Sequence, residues 1–326
     1  MPAPAQYPQS PILTITLNPA LDLCSETDHV RAGPKLRCTA PRRDPGGGGI
    51  NVSRAIRFLG GDSLALVALG GTTGMAVQQL MDAEGLRVHC LPIPGETRQS
   101  LSITETGTGA QFRFVLPGPG WSSMEMDALI ATCVDLIQPG SFVVLSGSLP
   151  PGVRPNLPNT ICSALSMSGA RVVVDTSGAA LQTLARAPRR GATPPMVLRF
   201  DHQEAGELAD QSLDSPAATA DFAEDLVQRG AAQVVMIARG AEGNVLADGT
   251  KRLLCRPAPV PVRSMVGAGD SFVGAAVLRL AQGGTMAEAL HRGTAAATAA
   301  VMTDATELCR PEDVERLLPH CRMEPV

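Results

Sequence analysis

Phe142-Val143-Val144-Leu145-Ser146 reads as a short, buried strand; a helical stretch from Asn156 to Ser168 follows, and Val172 to Asp175 opens a second strand. Short apolar runs separated by longer helical patterns are the signature of strand–helix–strand units. The alternation continues outward in both directions. Upstream lie a strand from Ile12 to Leu17, a helix from Asn51 to Leu59 ended by Gly60-Gly61, and a buried strand from Leu64 to Leu69. A helix near Thr73 to Glu84 and another from Ser123 to Ile137 complete that half. Downstream, a strand from Met196 to Phe200 follows the polar, proline-bearing linker 188–195. A helix from about Pro216 to Arg229, a strand from Val234 to Ala238 and a strand pair, Asn244 to Ala247 and Lys251 to Cys255, come next. The expectation is an α/β fold with a mainly parallel sheet, helices on both faces, and ligands beyond the carboxyl ends of the strands.

Two segments, about 31–41 and 92–116, break this rhythm and read as β-rich. In the second, Gln99 to Glu105 and Gln111 to Leu116 flank a Gly-Thr-Gly turn as a hairpin. They are expected to build a small separate sheet, a lid inserted into one domain spanning 11–318, with 1–10 as a flexible tail.

Composition narrows the function classes. Hydrophobic residues make up 44% of the 326 and charged residues 18%, which supports a large core and argues against disorder. Aromatics at 3% and a net charge of −4 leave little for nucleic-acid binding. Eight cysteines without a Cys-x-x-Cys pair suggest neither a zinc ribbon nor a disulfide framework. With no signal pattern and no apolar run of membrane-spanning length, the expected setting is a reducing cytoplasm without membrane partners.

Gly267-Ala268-Gly269-Asp270 stands where an apolar helical run, Ser271 to Leu280, begins. Small residues there leave main-chain N–H groups bare at a helix N-terminus, which attracts anions. A carboxylate beside such a hole would repel phosphate as a mere ligand. It makes sense as a base that takes a proton from a hydroxyl while the amides hold developing charge. The plainer alternative is a capping aspartate after a flexible turn. A second small-residue run, Gly46 to Gly49, leads through Ile50 into Asn51, which can offer both an amide and a carbonyl to sugar hydroxyls. It too has a plain alternative, a glycine turn capped by Asn51. Neither a P-loop nor a dinucleotide-binding glycine fingerprint at the first turn is present.

Taken together, Gly48-Gly49-Ile50-Asn51-Val52-Ser53 followed by Gly60, and Gly267 to Asp270, resemble the two signatures of the ribokinase-like (PfkB) carbohydrate kinases. Lys35 to Pro41, Thr97-Arg98-Gln99, Phe112 to Val115 and Ser146 to Gly152 resemble one branch of it, the kinases of phosphorylated ketohexoses. That branch holds 6-phosphofructokinase isozyme 2, 1-phosphofructokinase and tagatose-6-phosphate kinase. The resemblance runs from about Leu13 to Leu308, with the motifs in order. It implies a ribokinase-like three-layer sandwich with a β-sheet lid. Asp270 would be the base, and Gly267, Ala268 and Gly269 the anion hole. Asp22, Gly47, Gly48, Asn51 and Ser148 would hold the sugar. Lys35, Arg37 and Arg98 would surround its phosphate, where forked, charge-assisted hydrogen bonds suit a dianion. ATP would meet Arg199, Asp201, Arg239, Gly240 and Gly243, with Glu204 organising the waters of Mg²⁺.

Three departures from the family pattern fall around the nucleotide. Arg199-Phe200-Asp201-His202-Gln203-Glu204 stands where many members have Lys-Pro-Asn-x-x-Glu, Ala238 where Ser or Thr is usual, and Ser264-Met265-Val266 where Asp-Thr-Thr is common. The expected reaction is ATP-dependent phosphorylation of fructose 6-phosphate. Fructose 1-phosphate and tagatose 6-phosphate are the alternative acceptors, and a non-catalytic sugar-phosphate sensor is the rival from another class. The lid's unpaired edges and apolar face point to a homodimer through the lid sheets.

Overall fold

The computed structural model describes residues 8–186, 193–304 and 306–326. Its first part holds β1 (Ile12–Thr16), β2 (Ala20–Thr27), β3 (Arg42–Gly46), α1 (Gly48–Phe58), β4 (Leu64–Leu69), α2 (Gly71–Ala83) and β5 (Arg87–Pro92). The middle holds β6 (Arg98–Glu105), β7 (Gln111–Val115), α3 (Ser123–Leu136), β8 (Phe142–Ser146), α4 (Leu157–Leu165), β9 (Arg171–Asp175) and α5 (Gly178–Arg186). Then come β10 (Val197–Asp201), α6 (His202–Ala209), α7 (Pro216–Gln228), β11 (Val234–Ala238), β12 (Asn244–Ala247) and β13 (Arg252–Arg256). The chain closes with α8 (Ala268–Ala281), α9 (Met286–Ala300), α10 (Pro311–Leu317) and β14 (Arg322–Pro325).

Ten strands form one sheet in the order β14-β13-β12-β11-β10-β9-β8-β1-β4-β5. The run from β11 to β5 is parallel, and β12, β13 and β14 add antiparallel strands at one edge. Alternate residues serve opposite faces, as the two-residue strand period requires. Val143 and Leu145 of β8 join a core with α3, α4 and α5, while Phe142 and Val144 join one with α1, α8 and α9. This is the α/β three-layer architecture that the resemblance implies.

Chain order reverses beside β1, which pairs with β4 on one side and β8 on the other. A crevice opens beyond the strand ends at such a switch point, and the glycine run enters it. A Cβ on Gly48 would lie 2.3 Å from the Ser146 Oγ, and one on Gly49 2.5 Å from the Ile15 carbonyl oxygen. Both positions are therefore closed to any side chain, and α1 starts in contact with β1 and β8. Its partner α8 crosses equally closely, because a Cβ on Gly274 would stand 2.8 Å from Ala55 Cβ.

A second sheet has the order β3-β2-β6-β7. β2 runs parallel to β6, and the outer strands are antiparallel to their neighbours. The hairpin expected within 92–116 is β6 and β7. The other expected segment needs correction: residues 31–41 form an exposed, strandless loop, and the strands are the two elements flanking it, β2 and β3. β3, Arg-Arg-Asp-Pro-Gly, has almost no strand propensity. It pairs only as an edge strand, the one place a sheet accepts a proline.

Gln9 and Ser10 are not loose, contrary to the expected tail. The Gln9 side chain donates to the Asp62 carbonyl at 2.7 Å, and the Ser10 N–H donates to that of Ala281 at 2.8 Å. Residues 1–7, and 188–192 of the expected linker, lie outside the described residues.

Candidate active site

The site is built where the N-termini of α1 and α8 meet. Gly267, the N-cap of α8, takes φ 77°. A side chain there would suffer left-handed backbone strain and stand 2.7 Å from the Leu308 Cδ2. The first helical bond is Ser271 N–H to the Gly267 carbonyl at 2.8 Å. The N–H groups of Gly269 and Asp270 thus find no acceptor among the described residues, as expected in a first helical turn.

Asp270 is half-buried beside these amides. Its Oδ2 accepts a hydrogen bond from the Asn51 Nδ2 at 2.9 Å, joining residues 219 apart in sequence. Burial pushes its pKa up to about 6, with Asp175 and Asp22 adding to the rise while the Asn51 hydrogen bond and Arg199 oppose it. Asp22 is raised to about 6 as well, first by burial and then by Asp44, against the pull of Arg98, Arg113 and Arg54. The Asp22 carboxylate lies on bare backbone: a Cβ on Gly46 would be 2.2 Å from its Oδ2.

Arg98 stands close enough to Asp22 to act on its charge. Its Nε donates to the Asn18 carbonyl at 3.1 Å, and the Asn18 Nδ2 donates to the Ser148 Oγ at 3.1 Å. The two Nη groups of Arg98 have no partner among the described residues. These side chains line a groove of about 610 Å³ walled by Val115 to Gly118 and Leu149 to Val153. Expected neighbours Lys35 and Arg37 are not brought here. Both side chains are exposed on the β2–β3 loop, which has no strand to aim them at the groove, and Arg37 is held only through its carbonyl, which accepts from the Thr27 hydroxyl at 3.2 Å.

On the opposite flank, Arg199 pairs with Asp175 at 3.1 Å, and Ser146 donates to Asp175 at 2.9 Å. The Arg199 guanidinium also lies against the anion hole: a Cβ on Gly269 would be 2.8 Å from its Nη1. Asp201 and Glu204 form a capping box on α6, each main-chain N–H reaching the other's carboxylate at 2.9 Å. One oxygen of each carboxylate is therefore occupied by the backbone.

Arg239 corrects the sequence expectation. It is buried and points into the protein, donating to the Leu213 carbonyl at 2.8 Å, to Glu242 at 2.9 Å and to the Thr219 hydroxyl. Its hydrogen bonds tie the α6–α7 connection, α7 and the β11–β12 turn together inside the protein. Gly243, at φ 115°, serves that turn too: a Cβ there would collide with the Cys255 carbonyl oxygen at 2.3 Å. Gly240, at φ 57°, starts the same turn.

Two site residues escaped the sequence reading. Asp175 ends a parallel strand, the position from which ligands are met, and that signal was available. Arg113, on the lid strand β7, acts on Asp22 across a small cleft containing Ser100, Ser102 and Thr306. The motif Phe112 to Val115 contained it, but its place beside Asp22 shows only once β6 pairs with β7. The lid is also fastened to the core. Thr306 donates to Asp44 at 2.6 Å and accepts from Arg42 at 2.6 Å.

A carboxylate beside unpaired amides, a sugar-sized groove and cations on both flanks make up a phosphoryl-transfer site. Residues 15–313 match the model of the pfkB family carbohydrate kinases, and the chain belongs to that family. It is a phosphotransferase whose acceptor is an alcohol group of a sugar. Its relatives include the ATP-dependent 6-phosphofructokinase isozyme 2 of Escherichia coli K12, 36% identical over 94% of this chain and 97% of that one. The 1-phosphofructokinase of Xanthomonas campestris is 32% identical over 94% and 93%. The crystal structure of Escherichia coli phosphofructokinase-2 with fructose-6-phosphate superposes with a TM-score of 0.87 at 34% identity, covering 95% of this chain and 99% of that one.

Proposed function

We propose that this chain transfers the γ-phosphoryl group of ATP to the free primary hydroxyl of fructose 6-phosphate, giving fructose 1,6-bisphosphate. The observation that carries this reading is the Asp270 carboxylate, held by Asn51 beside the unpaired N–H groups of α8, with Asp22 and Arg98 on the acceptor side. Arg98 and Ser148 bind the phosphate already on the sugar. Asp22, Asn51 and the main chain of Gly47 and Gly48 hold its hydroxyls. Asp270 accepts the proton of the attacking hydroxyl, and the Gly269 and Asp270 amides stabilise the charge spreading over the transferred group.

The donor set suits Mg²⁺ but no all-protein cage. Among the described residues no group of three His, Cys, Asp or Glu could hold a metal. Magnesium keeps most of its waters and binds through substrate phosphates with one or two carboxylates. The free oxygen of Glu204 meets that need, and the ion supplies charge neutralisation on the nucleotide phosphates.

The exposed lid residues Phe114, Val115 and Leu116 support a homodimer formed by two lids. No helix of the described residues is long and apolar enough to cross a membrane. The deciding experiment is ADP release measured with fructose 6-phosphate, fructose 1-phosphate and tagatose 6-phosphate. The highest kcat/KM is expected with fructose 6-phosphate. A clear preference for either other sugar would replace it as acceptor, and sugar-phosphate binding without turnover would make the protein a sensor.

A further inference from the structure

We propose that Arg54 and Glu84 are positioning residues, which hold the Asn51 side-chain amide in the one orientation that donates to the Asp270 carboxylate. The inference rests on Asp270 being the base.

Arg54 lies three residues after Asn51 on α1, so the two share a helix face. Its side chain is only 6% exposed. The Nε donates to the Glu84 Oε2 at 2.7 Å and the Nη2 to the Oε1 at 2.9 Å, a forked pair with the residue that ends α2. The remaining nitrogen, Nη1, donates to the Asn51 Oδ1 at 3.3 Å. Guanidinium has donors and no acceptor. It can therefore face only the oxygen end of the Asn51 amide, and the nitrogen end is turned towards Asp270 at 2.9 Å.

Orientation matters because the two ends of an amide have opposite effects on a carboxylate. The N–H end favours the ionised form, which is the form a base needs. The oxygen end repels that form and accepts a proton from the neutral one. Asp270 is already pushed upward by burial, by Asp175 from β9 and by Asp22 from β2, with Arg199 from β10 pulling the other way. A flipped Asn51 would add to the rise and leave less base ionised at neutral pH. The fork to Glu84 fixes Arg54 from a second element, so the amide is not held by α1 alone.

A plain structural role, a strut between α1 and α2, predicts loss of stability without effect on proton transfer. A charge effect on Asp22, which Arg54 also faces, predicts a change that does not depend on Asn51. The test is the acidic limb of kcat against pH in the full chain, in Arg54→Met, Asn51→Ala and the double variant. Arg54→Met is expected to move the limb upward by about half to one pH unit, and to lower kcat at pH 7 several-fold. In the Asn51→Ala background the same substitution should leave the limb in place. Arg54→Lys, which keeps a donor-only cation, should restore most of the wild-type limb. A limb unmoved by Arg54→Met, or moved equally in both backgrounds, overturns the proposal. If Arg54→Met does not fold, Glu84→Gln takes its place, with a smaller shift in the same direction and the same dependence on Asn51. Failure of the underlying reading looks different: Asp270→Asn would then turn over normally whatever Arg54 does.

Discussion

Arg199, in the middle of β10, and Asp175, the last residue of the neighbouring parallel strand β9, pair at 3.1 Å, with the guanidinium resting on the backbone of Gly269. The pair thus helps set the charge beside Asp270: Asp175 raises the Asp270 pKa and Arg199 lowers it. Asp175→Asn removes the upward push and releases Arg199 from its partner. The acidic limb of kcat is expected to move to lower pH, by about half a unit or more. A pH titration of kcat in the variant checks this.

Asp270→Asn should lower kcat by at least ~10²-fold, the usual scale for loss of a general base, with little change in the KM for the sugar phosphate. The same variant should be more stable. The folded carboxyl titrates near 6 against an ordinary 3.8, so the native state holds a proton that the unfolded chain has released between those values. Stability therefore falls as pH rises through that window, and the full cost is present above it. Removing the charge should recover on the order of 1–2 kcal/mol at pH 8, a melting rise of a few degrees, with the gain fading below pH 4. Thermal melts at pH 8 and pH 4 test the sign.

Asp22 and Asp270 both titrate near 6. In the proposed roles both are needed ionised, Asp22 to accept from sugar hydroxyls and Asp270 to accept the proton. The wild-type kcat/KM is therefore expected to drop steeply below that pH, with a limiting slope steeper than that of one group.

Arg98→Leu should raise the KM for the sugar phosphate by about ten- to a hundredfold, as expected for loss of a charge-assisted hydrogen bond. The preference for fructose 6-phosphate over unphosphorylated fructose should shrink by a similar factor. Steady-state kinetics with both sugars measures it.

Arg239→Ala separates a structural arginine from a nucleotide ligand. Its hydrogen bonds to Leu213, Thr219 and Glu242 are internal. The expected loss is about 2–4 kcal/mol of stability, because buried acceptors are left unpaired. The KM for ATP should stay near wild type in the folded enzyme. Denaturant unfolding beside ATP kinetics distinguishes the two roles.

Much of this was legible in the sequence. The strand–helix alternation located the parallel sheet to within a residue or two at β4, β8 and β11, because buried parallel strands are continuous apolar runs. Asp270 and Asn51 were legible because each follows small residues at a helix start. β2 and β3 were not. The fold brings β2 beside β6 and β3 beside β2, and nothing local in Arg-Arg-Asp-Pro-Gly favours a strand. Arg239 misled for a related reason: its place beside two glycines suggests a ligand loop, and only tertiary packing shows which way it turns. The Arg54 fork was equally hidden, since its partner Glu84 lies across the gap between two helices.

The contact of Gly274 with Ala55 has one more effect. With no side chain on Gly274, α1 and α8 approach as closely as the Ala55 methyl group allows, and this spacing helps set where Asn51 and Asp270 meet. Any side chain at position 274 could only widen that gap, and each added methyl group would pull Asp270 away from Asn51 and from the sugar that the proposed reaction sets beside it.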